Sequence, residues 1–224
     1  MPIMETTYWR SAADDEAMQD EHGFIWRAML DTIDVDLANK RVLDAGCNRG
    51  GFLRLLTDEH DIATGFGYDP AAGAIEDARR LAGSRPIHFE ASNSPPEAWT
   101  GVDVAFSHEV LYVLPDLARH AHAMFGSLRP GGEYFAVMGV HTGSPLMVEW
   151  HTAYRDELQL PPLYDVDDVI ATFGRAGFDA SVAHLAMRFV PITGHDHEGR
   201  SLDWLTYYSE HKLLLRFARP SPVV

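Results

Sequence analysis

Between Arg41 and Val140 short apolar runs alternate with helix-patterned stretches, and this alternation leaves few architectures open. RVLDAGC at 41–47, ATGFGYD at 63–69, residues 86–90, VDVAFS at 102–107 and EYFAVMGV at 133–140 read as buried strands. GFLRLLTDE at 51–59 and AAGAIEDARRLA at 71–82 read as helices. Leu117, Ala121, Met124, Phe125 and Leu128 fall on one face of a further helix, which Arg129-Pro130-Gly131-Gly132 stops. Strands alternating with helices build a parallel sheet with helices on both faces, and right-handed crossovers wind it doubly. The expected class is therefore α/β, doubly wound. Ligands of such sheets bind outside the carboxyl ends of the strands. The loops at 46–50, 69–70, 92–93, 107–112 and 141–151 are where function is expected.

The flanks are less regular. Residues 22–38 have apolar spacing compatible with a helix. Residues 141–164 scatter Trp150, Tyr154 and Tyr164 among polar residues. Asp165 is placed to cap a helix that turns Val169, Ile170 and Phe173 inward and ends at Gly177. DASVAHLAMRFV at 179–190 reads as a strand, 191–201 as a turn-rich loop and HKLLLRFA at 211–218 as a last strand. No linker divides the 224 residues, so one domain is expected: a helical lid over 1–38, a ligand-binding core over 40–140, and substrate-side insertions with the last strands over 141–210.

Charge narrows the partners. Thirty-three acids against 18 bases give a formal charge of −15, with no run of Lys or Arg. Counterion release by basic side chains drives nucleic-acid binding, and basic clusters hold anionic membranes. Neither partner is expected, whereas a small neutral or cationic ligand is. The single Cys47 excludes an intrachain disulfide and a thiolate zinc cage. The first residues lack the apolar segment of a signal peptide, and no stretch reaches the ~20 apolar residues that span a bilayer. A cytoplasmic monomer or homodimer is the expectation.

The segment Val42 to Gly50 is a strand entering a turn and then a helix. Gly46 and Gly50 allow a tight turn and close approach of a ligand to the backbone. The free N–H groups of the next helix suit a carboxylate. Asp44, at the strand's end, is placed for a ligand ammonium, and Asp69, ending the second strand, for two ribose hydroxyls. A ligand carrying ribose, ammonium and carboxylate fits these groups together. A nicotinamide dinucleotide is the rival, but its loop is G-x-G-x-x-G, and Asn48 stands where the second glycine lets the backbone meet a pyrophosphate.

The run D-x-G-x-N-x-G over Asp44–Gly50 resembles the first motif of the class I S-adenosylmethionine-dependent methyltransferases. Leu128-Arg129-Pro130-Gly131-Gly132 resembles that family's turn before strand five, and Val102–Leu111 its fourth-strand motif. The resemblance covers about 40–140 well and the tail by architecture only. It implies a Rossmann-like, seven-stranded, mostly parallel sheet whose last strand is antiparallel. It also implies S-adenosylmethionine as cofactor and S-adenosylhomocysteine as product. The residues that would hold the cofactor are Asp44, Gly46, Cys47, Asn48, Gly50, Asp69, Pro70, Ser92, Asn93, Ser107 and His108. Pro70 would lie beside the adenine. Ser92-Asn93 stands in for the family's Gly-Asp pair, with the Asn93 carbonyl able to accept from the adenine amino group.

The expected activity is methyl transfer to O or N of a small-molecule acceptor. A non-catalytic cofactor-binding module is the alternative, and a macromolecular acceptor is a further one that the charge disfavours. His108 and His141, after strands four and five, are the candidate general bases. Glu109, Tyr112, Trp150 and Tyr154 are the candidate acceptor contacts. Tyr8 and Trp9 with the N-terminal helix are further lid candidates, as are Trp204, Tyr207 and Tyr208. No metal is expected. His120 and His122, two apart on a helix, read as solvated surface, and His195-Asp196-His197 is a weak loop pair. Cys47 reads as a packed small residue and Asp103 as structural.

Overall fold

The computed structural model describes residues 12–187, 189–190 and 199–222. Its strands are β1 Arg41–Ala45, β2 Thr64–Asp69, β3 Ile87–Ala91, β4 Val102–His108, β5 Leu128–Met138, β6 Asp179–His184 and β7 Leu213–Ala218. Its helices are α1 Ala12–Thr32, α2 Gly51–His60, α3 Ala72–Ala82, α4 Leu117–Ser127, α5 Pro145–Tyr154, α6 Val166–Arg175 and α7 Ser201–Thr206. A 3-10 turn spans Leu111–Val113, and a π turn, Tyr207–His211, follows α7.

The seven strands form one sheet in the order β3-β2-β1-β4-β5-β7-β6. The pairs β1–β2, β2–β3, β1–β4 and β4–β5 are parallel, whereas β7 runs antiparallel to both β5 and β6. The winding reverses between β1 and β4, and their carboxyl ends flank the crevice where such sheets take ligands.

The period of two along each strand sorts the core into two layers. Val42, Val104, Phe106, Phe135, Val137 and Leu214 meet Ile25 and Met29 of α1, Phe52, Leu53 and Leu56 of α2, and Ile75 and Ala78 of α3. Leu43, Ala45, Tyr68, Ala105, Tyr134 and Phe217 meet Leu117, Ala121 and Met124 of α4 and Val169 and Phe173 of α6. Phe173 and Phe217 stack at 3.9 Å between centroids, and burying each ring contributes roughly 1.5–3 kcal/mol.

Several boundaries differ from the sequence reading. The first helix stops at Thr32 rather than 38, because the Asp36 carboxylate accepts from the Ala38 N–H at 2.9 Å and holds a local turn. The turn at 129–132 lies inside β5, whose register against β4 shifts between Val102 and Val104. β6 ends at His184 rather than 190, and the irregular stretch 141–164 contains α5, opened by Pro145. No helix among the described residues is long and apolar enough to cross a membrane.

Candidate active site

The loops after β1 to β5 gather at one end of the sheet. After β1 the Gly46 and Cys47 N–H groups both donate to the Tyr68 carbonyl, at 2.9 and 3.1 Å. This clamps the first loop onto the end of β2. Gly46 has φ +74° and a Cβ there would stand 2.5 Å from Val110 Cγ2; Gly50 has φ +71° and its Cβ would meet Phe89 Cζ at 2.4 Å. Only glycine fits either place. Asn48 also adopts a left-handed φ of 46°, and Gly50, the N-cap of α2, has no side chain with which to cap it. The amides that open this helix therefore face the loop.

Asp69 ties two loops together. Its Oδ2 accepts from the Asn48 N–H at 3.0 Å and its Oδ1 from the Ala71 N–H at 2.9 Å, across Pro70. Its carbonyl accepts from the Ser92 N–H at 3.0 Å, which draws in the third loop. Ser92 Oγ donates to the Ser94 carbonyl at 2.6 Å, so that hydroxyl shapes the turn, while Asn93 is exposed beside it. Asp44 is buried, and first burial, then the charge of Asp69, push its carboxyl well above the usual carboxylate range. Burial, then the charges of Asp44 and Asp69, raise the thiol of buried Cys47, which packs as a small apolar residue.

The pleat separates two residues that the sequence reading placed together. His108 follows the parity of Phe106 and faces α1; Ser107 faces the α4 side. Ser107 is wholly buried, its Oγ lies 2.6 Å from the Tyr134 hydroxyl, and that hydroxyl lies 3.0 Å from His120 Nε2. The Ser107 side chain is thus engaged on the opposite face from His108 and Asp44. His120 corrects a second expectation. It is buried rather than solvated, with Nδ1 3.5 Å from the Tyr68 hydroxyl, and burial lowers its pKa to about 4. His122 is exposed and bonds the Ala118 carbonyl at 2.7 Å.

Around His108 the structure brings together groups that are far apart in the chain. The His22 ring of α1 lies edge-on to His108, with centroids 4.5 Å apart. His108 Nε2 is buried without a hydrogen-bond partner among the described residues. Burial, then His22 and Lys212, hold His108 well below the usual imidazole range; burial and Lys212, opposed by Glu109, bring His22 to about 4. Glu109 has a left-handed φ of 54°, which swings its carboxylate onto the end of β5, where the Gly139 N–H donates to both oxygens at 3.1 Å. Lys212 Nζ lies 2.8 Å from Glu109 Oε1 and donates to the Tyr207 oxygen at 3.2 Å. His141 is buried with both nitrogens engaged. Nδ1 accepts from the Gly143 N–H at 3.2 Å, so Nε2 carries the proton given to the His211 carbonyl at 2.8 Å. That ring has no lone pair left for an acceptor.

Aromatic side chains flank this cluster. Tyr112 meets Trp150 at 6.0 Å between centroids, and Trp150 meets Tyr154 at 5.7 Å. Trp204, Tyr207 and Tyr208 contact one another at 5.0–6.0 Å, and Phe24 of α1 reaches Tyr208 at 5.6 Å. Tyr112, Trp150, Trp204 and Tyr208 pack around buried Val140, Leu146, Met147 and Tyr207. Tyr8, Trp9, His195 and His197 lie outside the described residues. His22, Lys212 and the Tyr134–His120 contact were not foreseen. His120 alone had a legible signal, since it stands three residues after Leu117 and four before Met124 on the apolar face of α4.

A doubly wound sheet with a buried acid next to the end of β1, an acid ending β2 and a glycine turn clamped between them defines the class of nucleotide- and nucleoside-binding α/β proteins. Comparison with known proteins makes the class specific. A family described as "Methyltransferase domain" matches residues 15–183. A trans-aconitate 2-methyltransferase from Rhodopseudomonas palustris (strain BisB18) is 33% identical over 94 residues, which is 42% of this chain and 36% of that protein. The match thus spans about a third of the relative's length. Among solved structures, a chain from the complex between the Haloferax volcanii Trm112 methyltransferase activator and a methyltransferase superposes with a TM-score of 0.80 at 20% identity, covering 93% of this chain and 95% of the other. An S-adenosylmethionine-dependent methyltransferase from Mesorhizobium loti gives 0.65 at 21% identity, over 90% of this chain and 99% of the other. The chain belongs to the methyltransferase-domain family, and its fold is that of the class I, S-adenosylmethionine-dependent methyltransferases.

Proposed function

We propose that this protein transfers a methyl group to an oxygen or nitrogen of a small-molecule acceptor bound above the ends of β4 and β5. The observation that carries the reading is His108 Nε2, buried without a hydrogen-bond partner among the described residues on the sheet face that also bears Asp44 and Asp69. Those two acids and the glycine loop fit the cofactor. Asp44 has no hydrogen bond or ion pair among the described residues, and the charge of a ligand ammonium there would oppose the burial and the Asp69 charge that raise its pKa. Asp69, oriented by the Asn48 and Ala71 N–H groups at the end of β2, is placed to accept from ribose hydroxyls. The uncapped amides of α2 suit the carboxylate. Gly46, Cys47, Asn48 and Gly50 would line the methionine part, and Pro70, Ser92 and Asn93 the adenine end.

When bound, the cofactor supplies an electrophilic methyl on a sulfonium, which leaves as a neutral thioether. The chain's own residues orient the acceptor, exclude water and receive a proton. His108, kept neutral by its surroundings, is the group placed to accept that proton. His141 supports the loop after β5 instead, since both its nitrogens are engaged. Glu109 is held by Lys212 and acts on the acceptor through the shape it gives the site, while Tyr112, Trp150 and Tyr154 form the wall. The N-terminal helix serves as a lid through His22 and Phe24.

Calorimetric titration with S-adenosylhomocysteine tests the cofactor site. Binding is expected in the wild type, weaker by roughly 1–3 kcal/mol in Asp69→Ala. It should be lost in Gly46→Val, whose side chain would collide with Val110. Absence of binding at millimolar ligand, or near-wild-type affinity in both variants, would overturn the site.

A further inference from the structure

We propose that His120 is a positioning residue for the cofactor loop: from α4 it completes a one-way chain of hydrogen bonds beneath the switch point, with its proton on Nδ1. The role rests on the reading of the loop after β1 as the seat of S-adenosylmethionine, and adds a residue that supports that loop from the other face of the sheet. The chain starts at Ser107 in β4. Its Oγ lies 2.6 Å from the Tyr134 hydroxyl of β5, which lies 3.0 Å from His120 Nε2. His120 Nδ1 lies 3.5 Å from the Tyr68 hydroxyl of β2, and that hydroxyl donates to Met124 Sδ at 3.8 Å. All five residues are buried.

The direction of the chain follows from its protons. With the imidazole proton on Nε2, that nitrogen would donate to Tyr134. The Ser107 and Tyr134 hydroxyls would then share one hydrogen bond, and one of their two protons would be stranded, since neither hydroxyl has a further acceptor among the described residues. A stranded buried donor costs its full desolvation. With the proton on Nδ1, Ser107 donates to Tyr134, Tyr134 to Nε2, Nδ1 to Tyr68 and Tyr68 to Met124. Every proton then meets an acceptor. Burial raises both tyrosines and brings His120 to about 4, so each member keeps its neutral form at neutral pH.

The place of the chain in the sheet ties it to the loop. β1 lies between β2 and β4, and beside Tyr68 it brings Ala45, whose methyl offers no polar contact. His120 therefore links β2 to β4 and β5 across β1, under the crevice where the winding reverses. Its grip falls on Tyr68, whose hydroxyl is held by His120 and Met124, one turn apart on the same face of α4. The Tyr68 carbonyl accepts the Gly46 and Cys47 N–H groups, and the next residue, Asp69, accepts the Asn48 N–H. A shift of Tyr68 thus moves three consecutive amides of the cofactor loop.

Two measurements on the full chain test this. Long-range proton–nitrogen NMR spectra with nitrogen-labelled histidine read the tautomer, the His120 signals being those absent from His120→Gln. A protonated Nδ1 and a bare Nε2 are expected, and a protonated Nε2 overturns the chain. Calorimetric titration with S-adenosylhomocysteine reads the positioning. His120→Leu and Tyr68→Phe are each expected to weaken binding by about fivefold or more. His120→Gln, whose amide can accept from Tyr134 and donate to Tyr68, should stay within about twofold of wild type. Val169→Ala removes packing in the same core layer but no side-chain hydrogen bond, and it too should stay within about twofold. Tyr68→Phe keeps its ring, so the test stands should His120→Leu fold poorly. Near-wild-type affinity in both His120→Leu and Tyr68→Phe, or a loss in His120→Gln or Val169→Ala as large as theirs, overturns the positioning role and leaves the cofactor reading standing. A wild-type chain that binds no S-adenosylhomocysteine at millimolar ligand overturns both.

Discussion

Glu109 and Lys212 meet with little water to share, their side chains being 13% and 6% exposed. Each ion loses several kcal/mol of hydration on burial, and their attraction offsets this only with good geometry and further hydrogen bonds. Both conditions are met, since the carboxylate also takes the Gly139 N–H and the ammonium also donates to Tyr207. Removing one partner leaves the other buried and uncompensated. Glu109→Gln and Lys212→Met are each expected to lower the unfolding free energy by about 3–5 kcal/mol. The double variant, with no buried charge left, should lose clearly less than the two losses together. Urea titration of the four proteins checks this, and additive losses would contradict the pairing. Neither partner announces itself in the sequence. Glu109 is one of 33 acids, and Lys212 only precedes an apolar strand. A buried charge is legible only once its partner is known, and here the partner comes from a segment far along the chain.

At the scale of elements, what was legible followed from local rules. β1, β2 and β4 read as short apolar runs because their side chains are covered on both faces. The acid–glycine turn after β1 could be read because its chemistry lies within a few consecutive residues. Segments after β5 could not, because they are shaped by what they cover. α5 has its apolar residues spread around the helix, facing the aromatic cluster on one side, so 141–164 showed no clean period. The π turn after α7 is held by Phe24 of α1 against Tyr208 and by Glu109 against Tyr207, not by its own pattern. Gly139 is the hinge of that arrangement, since a Cβ there would lie 2.2 Å from the Tyr207 hydroxyl and 2.8 Å from Glu109 Oε1. Gly139→Ala should push the π turn off the end of β5 while the loops after β1 and β2 keep their bonds. S-adenosylhomocysteine affinity is then expected to stay within about threefold of wild type, while the KM for any acceptor rises tenfold or more. Equal loss of both would show that the insert supports the cofactor site as well.

Across the whole molecule, three histidines on three elements are held neutral: His22 on α1, His108 at the end of β4 and His120 on α4. Burial is the largest cause in each, so folding lowers their pKa values below the ordinary 6.5. The unfolded chain then binds more protons than the folded one wherever the pH lies between the two values, and stability rises with pH through that window. For His120 the window runs from about 4 up to 6.5. Its contribution is complete above 6.5 and is lost progressively as the pH falls toward 4, by roughly 3 kcal/mol in all at about 1.4 kcal/mol per pH unit. Other groups act in different ranges. Asp103 and Asp165 are held below the usual carboxylate range, so their stabilisation is present above it and fades only at lower pH. Asp44 is raised, and its burial becomes less costly as the pH falls through that raised value. The net curve mixes these signs, so the comparison that isolates one histidine is a variant that keeps the hydrogen bond to Tyr134 but does not titrate. His120→Gln meets that need. Its unfolding free energy, measured by denaturant titration from pH 7 down to 4, should fall less steeply than that of wild type by about one proton's slope across the window. Parallel curves would mean that the imidazole is not the neutral link between Tyr68 and Tyr134 that its burial implies.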